Sequence, residues 1–164
     1  MPTEDKDADL EAILEEYDAE GERVTGVQEE RRLAAEAFRQ RFQVVASDII
    51  RPYFKSVAKQ LEEHGHKAYV VDESSEAGDG NPKVITGIML RVSAKGADGA
   101  SPRPQIIVRC DADKERAQTF EGPRGTASQG VSWQLDEITE QALRERTVSV
   151  IKEALTTIRG SRNW

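Results

Sequence analysis

Apolar residues first recur at helical spacing close to the N-terminus. Leu10, Ile13, Leu14 and Tyr17 occupy positions i, i+3, i+4 and i+7, which predicts one apolar face on a helix that carries carboxylates around the rest of its surface. Gly21 is a suitable point for this helix to stop. A helix of about a dozen residues is marginal alone in water. We therefore expect it to lie on another surface: its own domain, a second copy of the chain or a partner protein.

A longer helical pattern begins at Thr25. Thr25 and Gln28 have the spacing of a capping box, in which each side chain satisfies a free backbone N–H. Unbroken to His64, this helix would measure about 55 Å, more than a compact domain of this size is wide. We therefore expect either a projecting end or, more simply, a bend near residues 48–52, because Pro52 removes a backbone donor. The apolar positions recur three to five residues apart: Leu33, Ala37, Phe38, Phe42, Val45, Ile49, Phe54, Val57, Ala58 and Leu61.

The projecting half of this helix would carry Phe38 and Phe42. These aromatic side chains need a cover, and a second copy of the chain would provide one. We therefore predict a homodimer that forms through the long helix, with both phenylalanines as interaction residues.

Strand character appears in four short runs, at residues 68–72, 84–93, 105–110 and 117–121. No long crossover helix fits between them, so they should form an antiparallel meander. A closing helix follows Trp133, and Gly160 ends it. Its apolar positions are Ile138, Ala142, Val148, Ile151, Leu155 and Ile158.

The predicted fold is therefore α+β: an antiparallel meander of about four strands, packed with a long N-terminal helix and a C-terminal helix. Three segments are expected: an acidic amphipathic arm over residues 1–24, a single α+β domain over 25–160 and a tail over 161–164. A length of 164 residues suits one domain with a core of its own. Charged residues make up 32% of the chain and apolar residues 37%, which is polar for a globular protein but sufficient to close one core.

Charge is distributed unevenly. Residues 1–31 carry twelve acidic and three basic side chains, a net charge of −9, whereas the remaining residues carry 18 acidic and 20 basic side chains, a net charge of +2. The arm would repel a phosphate backbone and the body has little excess positive charge, so nucleic acid is a poor candidate partner.

The N-terminal sequence lacks the basic start and apolar run of a signal peptide, and no stretch approaches the roughly 20 apolar residues that span a bilayer. Cys110 is the only cysteine, which excludes an internal disulfide and suits a reducing compartment. We expect a cytoplasmic protein with no membrane partner.

The only two histidines, His64 and His66, flank Gly65. Two imidazoles that are two residues apart on a strand point the same way and can bind a metal, with Asp72 or Glu73 as an oxygen ligand. The favoured interpretation is structural: Gly65 ends the long helix in a left-handed conformation, and His64 lies at the helix C-terminus, where it interacts with free carbonyls.

The segment after the third run contains Asp111 and Asp113, which at a strand end could hold a divalent ion. Asp111 lies three residues before Lys114, so the acid-x-Lys spacing of restriction-type nucleases is absent, and a hairpin turn explains the segment. Cys110 shares a face with Ile106 and Val108, which favours a core position over a nucleophile.

No motif assigns an activity or a cofactor. The leading hypothesis is a non-enzymatic protein-interaction module, an adaptor or chaperone-like factor, whose arm docks Leu10, Ile13, Leu14 and Tyr17 into an apolar groove of another protein. One alternative is a metal-dependent enzyme or ligand-binding domain. That alternative uses the weak metal candidates His64, His66, Asp111 and Asp113. The other is an acidic arm that mimics nucleic acid toward a basic protein.

Overall fold

The computed structural model describes residues 3–75, 84–97, 103–123 and 127–161. Two helical segments precede a sheet, and a third helix closes the chain. The elements are α1 (Thr3–Val45), a π-helical turn (Ala46–Ile50), α2 (Arg51–Glu63), β1 (Lys67–Ser75), β2 (Val84–Ser93), β3 (Pro104–Asp111), β4 (Arg116–Pro123), β5 (Ser128–Trp133), a 3-10 turn (Leu135–Glu137) and α3 (Glu140–Ser161).

The five strands form one sheet in the order β1-β2-β3-β4-β5, and every neighbouring pair is antiparallel. The predicted α+β fold, with its meander and its long N-terminal and closing helices, is confirmed. The prediction of about four strands is one short, because the four predicted runs do not include Ser128–Trp133, which forms β5. Strands that are consecutive in the chain are neighbours in the sheet, as the absence of long crossovers in the sequence predicts.

The main hydrophobic core lies against one face of the sheet. Ile88 and Leu90 of β2 and Ile106 and Val108 of β3 point into the main core, where they pack with α2, α3 and the C-terminal part of α1. Alternate residues point to the opposite face, which lies outside this core cluster. There, Met89 and Ile107 are also buried, while Tyr69 and Val71 of β1 are exposed.

Three predicted helix boundaries are wrong. Gly160 does not end the closing helix, because α3 includes it and continues to Ser161. Gly21 does not end a helix, and Thr25 does not cap one, because α1 runs through both positions. The Thr25 hydroxyl donates to the Gly21 carbonyl four residues earlier, at 2.8 Å, the bond that Thr makes inside a helix. Glycine permits a left-handed stop but does not impose one, and a single glycine costs only about 1 kcal/mol in a helix interior.

The expectation that Phe38 and Phe42 lie on a projecting half is also wrong. Phe38 is 2% exposed and Phe42 is completely buried, both within the core of a single chain. The end that projects is the preceding segment, residues 7–34, in which every residue is exposed; the first buried side chain is Ala35. We refer to residues 7–34 as the exposed segment of α1.

The helical interruption expected near residues 48–52 takes the form of the π-helical turn. Arg51 N–H bonds to the carbonyl of Ala46, five residues back, and Pro52 lies in the first turn of α2, where its missing donor costs least. The buried residues before and after the turn are spaced by four, so in a regular α-helix their direction would drift by about 160° around the axis. The extra residue of the π turn reverses part of that drift, which keeps them on the core side: Phe42, Ala46, Ile50, Phe54 and Ala58.

The segment boundaries at residues 24/25 and 160/161 stay predictions, and residues 162–164 of the predicted tail lie outside the described residues. Within the described ranges, no helix combines the length and the apolar character that crossing a membrane requires.

Candidate functional site

The most exposed apolar surface on α1 is the predicted one. Leu10, Ile13, Leu14 and Tyr17, which we call the arm stripe, are between 52% and 76% exposed. Since the first packed residue of α1 is Ala35, the Tyr17 end of the stripe is about 27 Å of helix away from the core. Within the described ranges, the stripe is therefore exposed and clear of the core, and it can bind another polypeptide.

Carboxylates surround the arm stripe. Residues 7–20 hold seven acidic side chains and no basic one. Further along, the exposed segment has local ion pairs, such as Arg23 with Glu20 and Arg32 with Glu29. Each guanidinium holds the pKa of its glutamate partner below the usual value. The N-terminal part of α1 therefore offers an apolar face inside a strongly negative field.

A second unpartnered surface lies between α2 and α3. It is a groove of about 850 Å³, within the size range of ligand-binding clefts. Val148 in it is 53% exposed, and the other apolar lining residues only partly pack against the core. The apolar lining residues are Val57 and Leu61 of α2 and Val148, Ile151 and Leu155 of α3. We call this surface the α2–α3 groove.

Positive charges border the α2–α3 groove along α3. Arg144, Lys152 and Arg159 line it, and none of the described residues in its lining is acidic. These three cations span 15 residues of α3, a distance of about 22 Å. Arg144 also pairs with Glu140 on α3 at 3.4 Å. The basic side chains are thus distributed along the groove rather than concentrated at one end.

Two hydroxyl groups lie together at one end of the groove. Tyr53 and Thr147 both line it and are both buried. Burial raises the pKa of the Tyr53 phenol, and the nearby Arg144 guanidinium and Thr147 hydroxyl oppose this shift. The phenol is therefore protonated and available as a hydrogen-bond donor at neutral pH.

The structure places His64 and His66 at the joint between α2 and β1. His64 is the C-terminal cap of α2, and Gly65 follows with φ = +88°. The N–H groups of Gly65 and His66 bond back to the last carbonyls of the helix at 3.0 Å. His66 Nδ1 accepts a hydrogen bond from the Lys95 N–H at 3.0 Å. The interpretation of Gly65 as the residue that ends the helix is confirmed.

Asp111 and Asp113 lie at the hairpin turn between β3 and β4. Asp111 Oδ1 accepts from the Lys114 N–H at 3.4 Å, and its other oxygen is 3.8 Å from Lys114 Nζ. Glu115 completes the turn with φ = +52°. The predicted turn is confirmed, and the side chain of Asp113 is exposed.

The histidines and the aspartates do not meet. His66 precedes Lys67, which pairs with Ser93 at the start of β1. Asp111 comes two residues after Arg109, and Arg109 lies level with Glu73, near the other end of β1. The two pairs are therefore separated by roughly 25 Å along the strands. In the described ranges, no three His, Cys, Asp or Glu side chains are grouped in a way that could hold a metal ion.

Cys110 packs against the core on the same face as Ile106 and Val108, as its strand position predicts. Burial raises the pKa of its thiol to about 11, with a small opposing effect from Arg39. The thiol is protonated at neutral pH, so it is a poor nucleophile.

A buried ion pair joins the sheet to α3, and the sequence analysis missed it. Glu121 is 9% exposed, and both its oxygens accept from Arg146 at 2.7 Å. Any side chain at Gly130 would overlap the Glu121 carboxylate, so the glycine makes room for the pair. Strand alternation places Glu121 on the same face as Thr119 and Ala117, which is the signal that could have identified it.

A second ion pair lies on the opposite face of the sheet. Arg109 donates to both oxygens of Glu73 at 2.8 Å, and its guanidinium lies over the Phe120 ring, 4.8 Å from the centroid. The Arg109 contact holds the pKa of Glu73 below its usual value, against the effect of burial. The Arg109 guanidinium thus contacts both a carboxylate and an aromatic ring on this face.

The α2–α3 groove was not predicted either, although all its apolar residues had been recognised as apolar positions. Their spacing predicts the helices but not which side of each helix is buried, and the buried stripe of α3 follows other positions: Leu143, Thr147, Val150, Ala154 and Ile158. The signal was that α3 has more apolar positions than one buried stripe can hold. The surplus residues line the groove.

Comparison of the chain with protein-family models, with curated proteins and with solved structures gives no match.

Proposed function

We propose that this chain is a non-enzymatic protein-interaction module, an adaptor or chaperone-like factor that works as a homodimer in the cytoplasm. The observation that carries the proposal is the arm stripe: four large apolar side chains, more than half exposed, on a helix that continues into the core of the domain. A reducing compartment suits the single cysteine.

A rigid helical support favours binding. An amphipathic helix that must fold on contact loses free energy to ordering. Here the exposed segment is an extension of a helix whose C-terminal part is anchored by Phe38 and Phe42, and local ion pairs at i, i+3 support it. The arm stripe is thus presented in the helical conformation that a groove-type partner recognises.

The metal-dependent alternative receives no support from the geometry, because His64 and His66 lie far along the strands from Asp111 and Asp113. The remaining alternative is mimicry of nucleic acid by the acidic arm. Both this mimicry and the proposed function use residues 7–20, but they differ in which side chains matter: carboxylates for mimicry and the arm stripe for apolar docking.

The test is affinity capture from native lysate, with the full chain as bait. Leu10→Ala with Leu14→Ala should reduce the amount of captured partner at least about tenfold, because truncating two central apolar anchors removes the largest contribution to such an interface. Leu33→Ala with Val44→Ala is the matched control, since it removes two other exposed apolar side chains of α1 and should leave capture unchanged.

Two outcomes contradict the proposed function. Capture that survives the Leu10 and Leu14 substitutions but disappears in about 0.5 M salt supports the mimic instead. Deletion of residues 1–24 should leave the midpoint of thermal unfolding nearly unchanged, because packing begins at Ala35. A large loss of thermal stability in the deletion variant would show that the arm is part of the core.

A further inference from the structure

Two unpartnered surfaces of this chain are complementary to each other. The arm stripe is an apolar face flanked by carboxylates, and the α2–α3 groove is an apolar cleft bordered by cations. We propose that the α2–α3 groove of each chain binds the arm stripe of a second copy, so that two chains exchange arms and form the dimer. The inference rests on the proposed function, in which the arm stripe is the binding element, and it names the surface that receives it.

The arm cannot reach the groove of its own chain. α1 is helical without interruption from Thr3 to Val45, and its packing on the body begins at Ala35. The exposed segment therefore extends about 40 Å outward, with the arm stripe in its distal half. Folding back would require melting the helix, so the occupant must come from another molecule.

The lengths of the two surfaces agree. Arg144 and Arg159, the outermost cations of the groove, are about 22 Å apart along α3. The acidic stretch that carries the arm stripe, residues 7–20, has a helical length of about 20 Å. An elongated cleft between two helices is the usual receptor for an amphipathic helix.

The charge patterns also agree. With successive residues about 100° apart around a helix, both long edges of the arm stripe carry carboxylates. Asp7, Glu11 and Asp18 follow one edge, and Asp9, Glu16 and Glu20 follow the other.

The distribution of the cations selects a helix over a small amphipathic anion. A fatty acid or similar molecule has one charged head, and its site would need positive charge at one end. Arg144, Lys152 and Arg159 instead follow the groove along its length, as charges distributed along an acidic helix require.

The first experiment measures dimerisation of the full chain by sedimentation equilibrium. Val148→Asp should raise the dimer dissociation constant at least about tenfold, since it replaces an apolar side chain of the groove with a carboxylate that would face the acidic arm. Ser149→Asp is the matched control: it adds the same charge one residue along α3, at an exposed position outside the groove, and it should change the constant less than about twofold.

The same pair of variants can be made on the arm. Leu14→Asp changes the arm stripe, while Ala12→Asp adds the same charge on the opposite side of the helix. Leu14→Asp should weaken the dimer as Val148→Asp does, and Ala12→Asp should have little effect. All four positions are exposed or line an open surface, so circular dichroism should show that each variant folds.

Direct contact is tested by disulfide trapping in the double variant Leu14→Cys with Val148→Cys. Mild oxidation should give a dimer that is covalently linked, because the two sulfurs would lie on facing surfaces. The native Cys110 does not compete, since burial raises the pKa of its thiol to about 11. Leu14→Cys with Ser149→Cys is the control and should not cross-link at the same rate.

Charge reversal tests the contact between the cations that border the α2–α3 groove and the carboxylates along the arm stripe. Lys152→Glu with Arg159→Glu should weaken the dimer, and Glu-to-Lys and Asp-to-Lys changes along one edge of the arm stripe should restore it. The edge that rescues, either Glu11 with Asp18 or Glu16 with Asp9, gives the orientation of the arm in the groove.

Several results would overturn the exchange. They are a chain that is monomeric at all concentrations, a dimer that survives Val148→Asp, and a trapped dimer that forms equally well with Ser149→Cys. None of these removes the protein-interaction role if Leu10→Ala with Leu14→Ala still abolishes capture of a partner, although a chain that is monomeric at all concentrations would remove the homodimer from the proposed function. If the groove variants lose dimerisation while the variant Leu10→Ala with Leu14→Ala still captures its partner, the exchange of arms stands and the proposed function fails.

Discussion

The two parts of α1 carry the same kind of apolar repeat but lie in opposite environments. In residues 35–45, Ala35, Phe38 and Phe42 are buried against the sheet and the other helices. In the exposed segment, residues 7–34, the apolar side chains at similar spacing face solvent. The difference lies in what is available to cover them, and not in the pattern itself.

This comparison separates two roles that helical periodicity can have. A stripe that its own domain covers contributes to folding, whereas a stripe beyond the reach of that domain contributes to association. The two roles can be distinguished experimentally, because substitutions in one part should change the free energy of unfolding and substitutions in the other should change only binding.

The largest contrast is expected between Phe42→Ala and Leu14→Ala. Phe42 is fully buried, so its truncation should reduce the free energy of unfolding by about 3–5 kcal/mol. Leu14→Ala should leave it unchanged in dilute protein, because the side chain packs on nothing in its own chain. Urea denaturation at low micromolar concentration measures both. Equal effects would show that the exposed segment folds as part of the core.

Ion pairs should also differ between the core and the exposed segment in how much they contribute to the free energy of unfolding. Arg146→Met leaves the Glu121 carboxylate buried without its partner. We expect a loss of about 2–3 kcal/mol, less than for a fully buried pair because the Arg146 side chain is 37% exposed. Arg23→Met, in the exposed segment, should produce no measurable change in denaturant unfolding. A similar loss in both variants would contradict the contrast.

Two glycines sharpen the comparison further. Gly65→Ala should destabilise the body by about 1–2 kcal/mol, because φ = +88° is unfavourable for a residue with a Cβ atom. Gly21→Ala should stabilise the helix locally by up to about 1 kcal/mol, since nothing lies within 4 Å of the added methyl group. Amide hydrogen exchange should show slower exchange near residue 21 and no change in the sheet.

The smallest effect is expected at Glu73, where pH provides the test. The Arg109 contact lowers the pKa of Glu73 in the folded chain, so the resulting stability is complete above the pKa of the unfolded chain, near 4.5, and is lost as pH falls through the lower folded pKa. Glu73→Gln should therefore cost at most about 1 kcal/mol at pH 7. The difference from the parent protein should vanish below the folded pKa.

Much of the fold could be predicted from the sequence, because local patterns and burial coincide there. Alternation in Ile106, Val108 and Cys110 identified a strand and its core face, and Gly65 identified the end of α2. Strand β5 was not predicted, because glycine at position 130 is typical of a loop. In the structure, the Glu121 carboxylate occupies the space that a side chain at position 130 would need. That reason is tertiary, and nothing within β5 reveals it.

Of the two candidate surfaces, only the arm stripe could be predicted from the sequence. The arm stripe was found because its residues lie on one helix, so their spacing alone defines the surface. The α2–α3 groove is formed by two helices that are distant in sequence, and its Val148, Ile151 and Leu155 could not be distinguished from core residues without knowing which side of α3 faces the sheet. Likewise, Gly21 and Thr25 carry local stop and start signals that the continuing helix overrides.

The π-helical turn at Ala46–Ile50 also sets the rotation of the arm about the helix axis, relative to the domain. Removing one residue from this turn would restore ordinary helical geometry and swivel everything N-terminal to it by about 100° around the long axis. Phe38 and Phe42 would then leave their buried positions, and Leu10 and Tyr17, which lie on the same uninterrupted helix, would face a different direction. A one-residue insertion or deletion there would thus change the direction in which the arm stripe faces without changing any of its side chains.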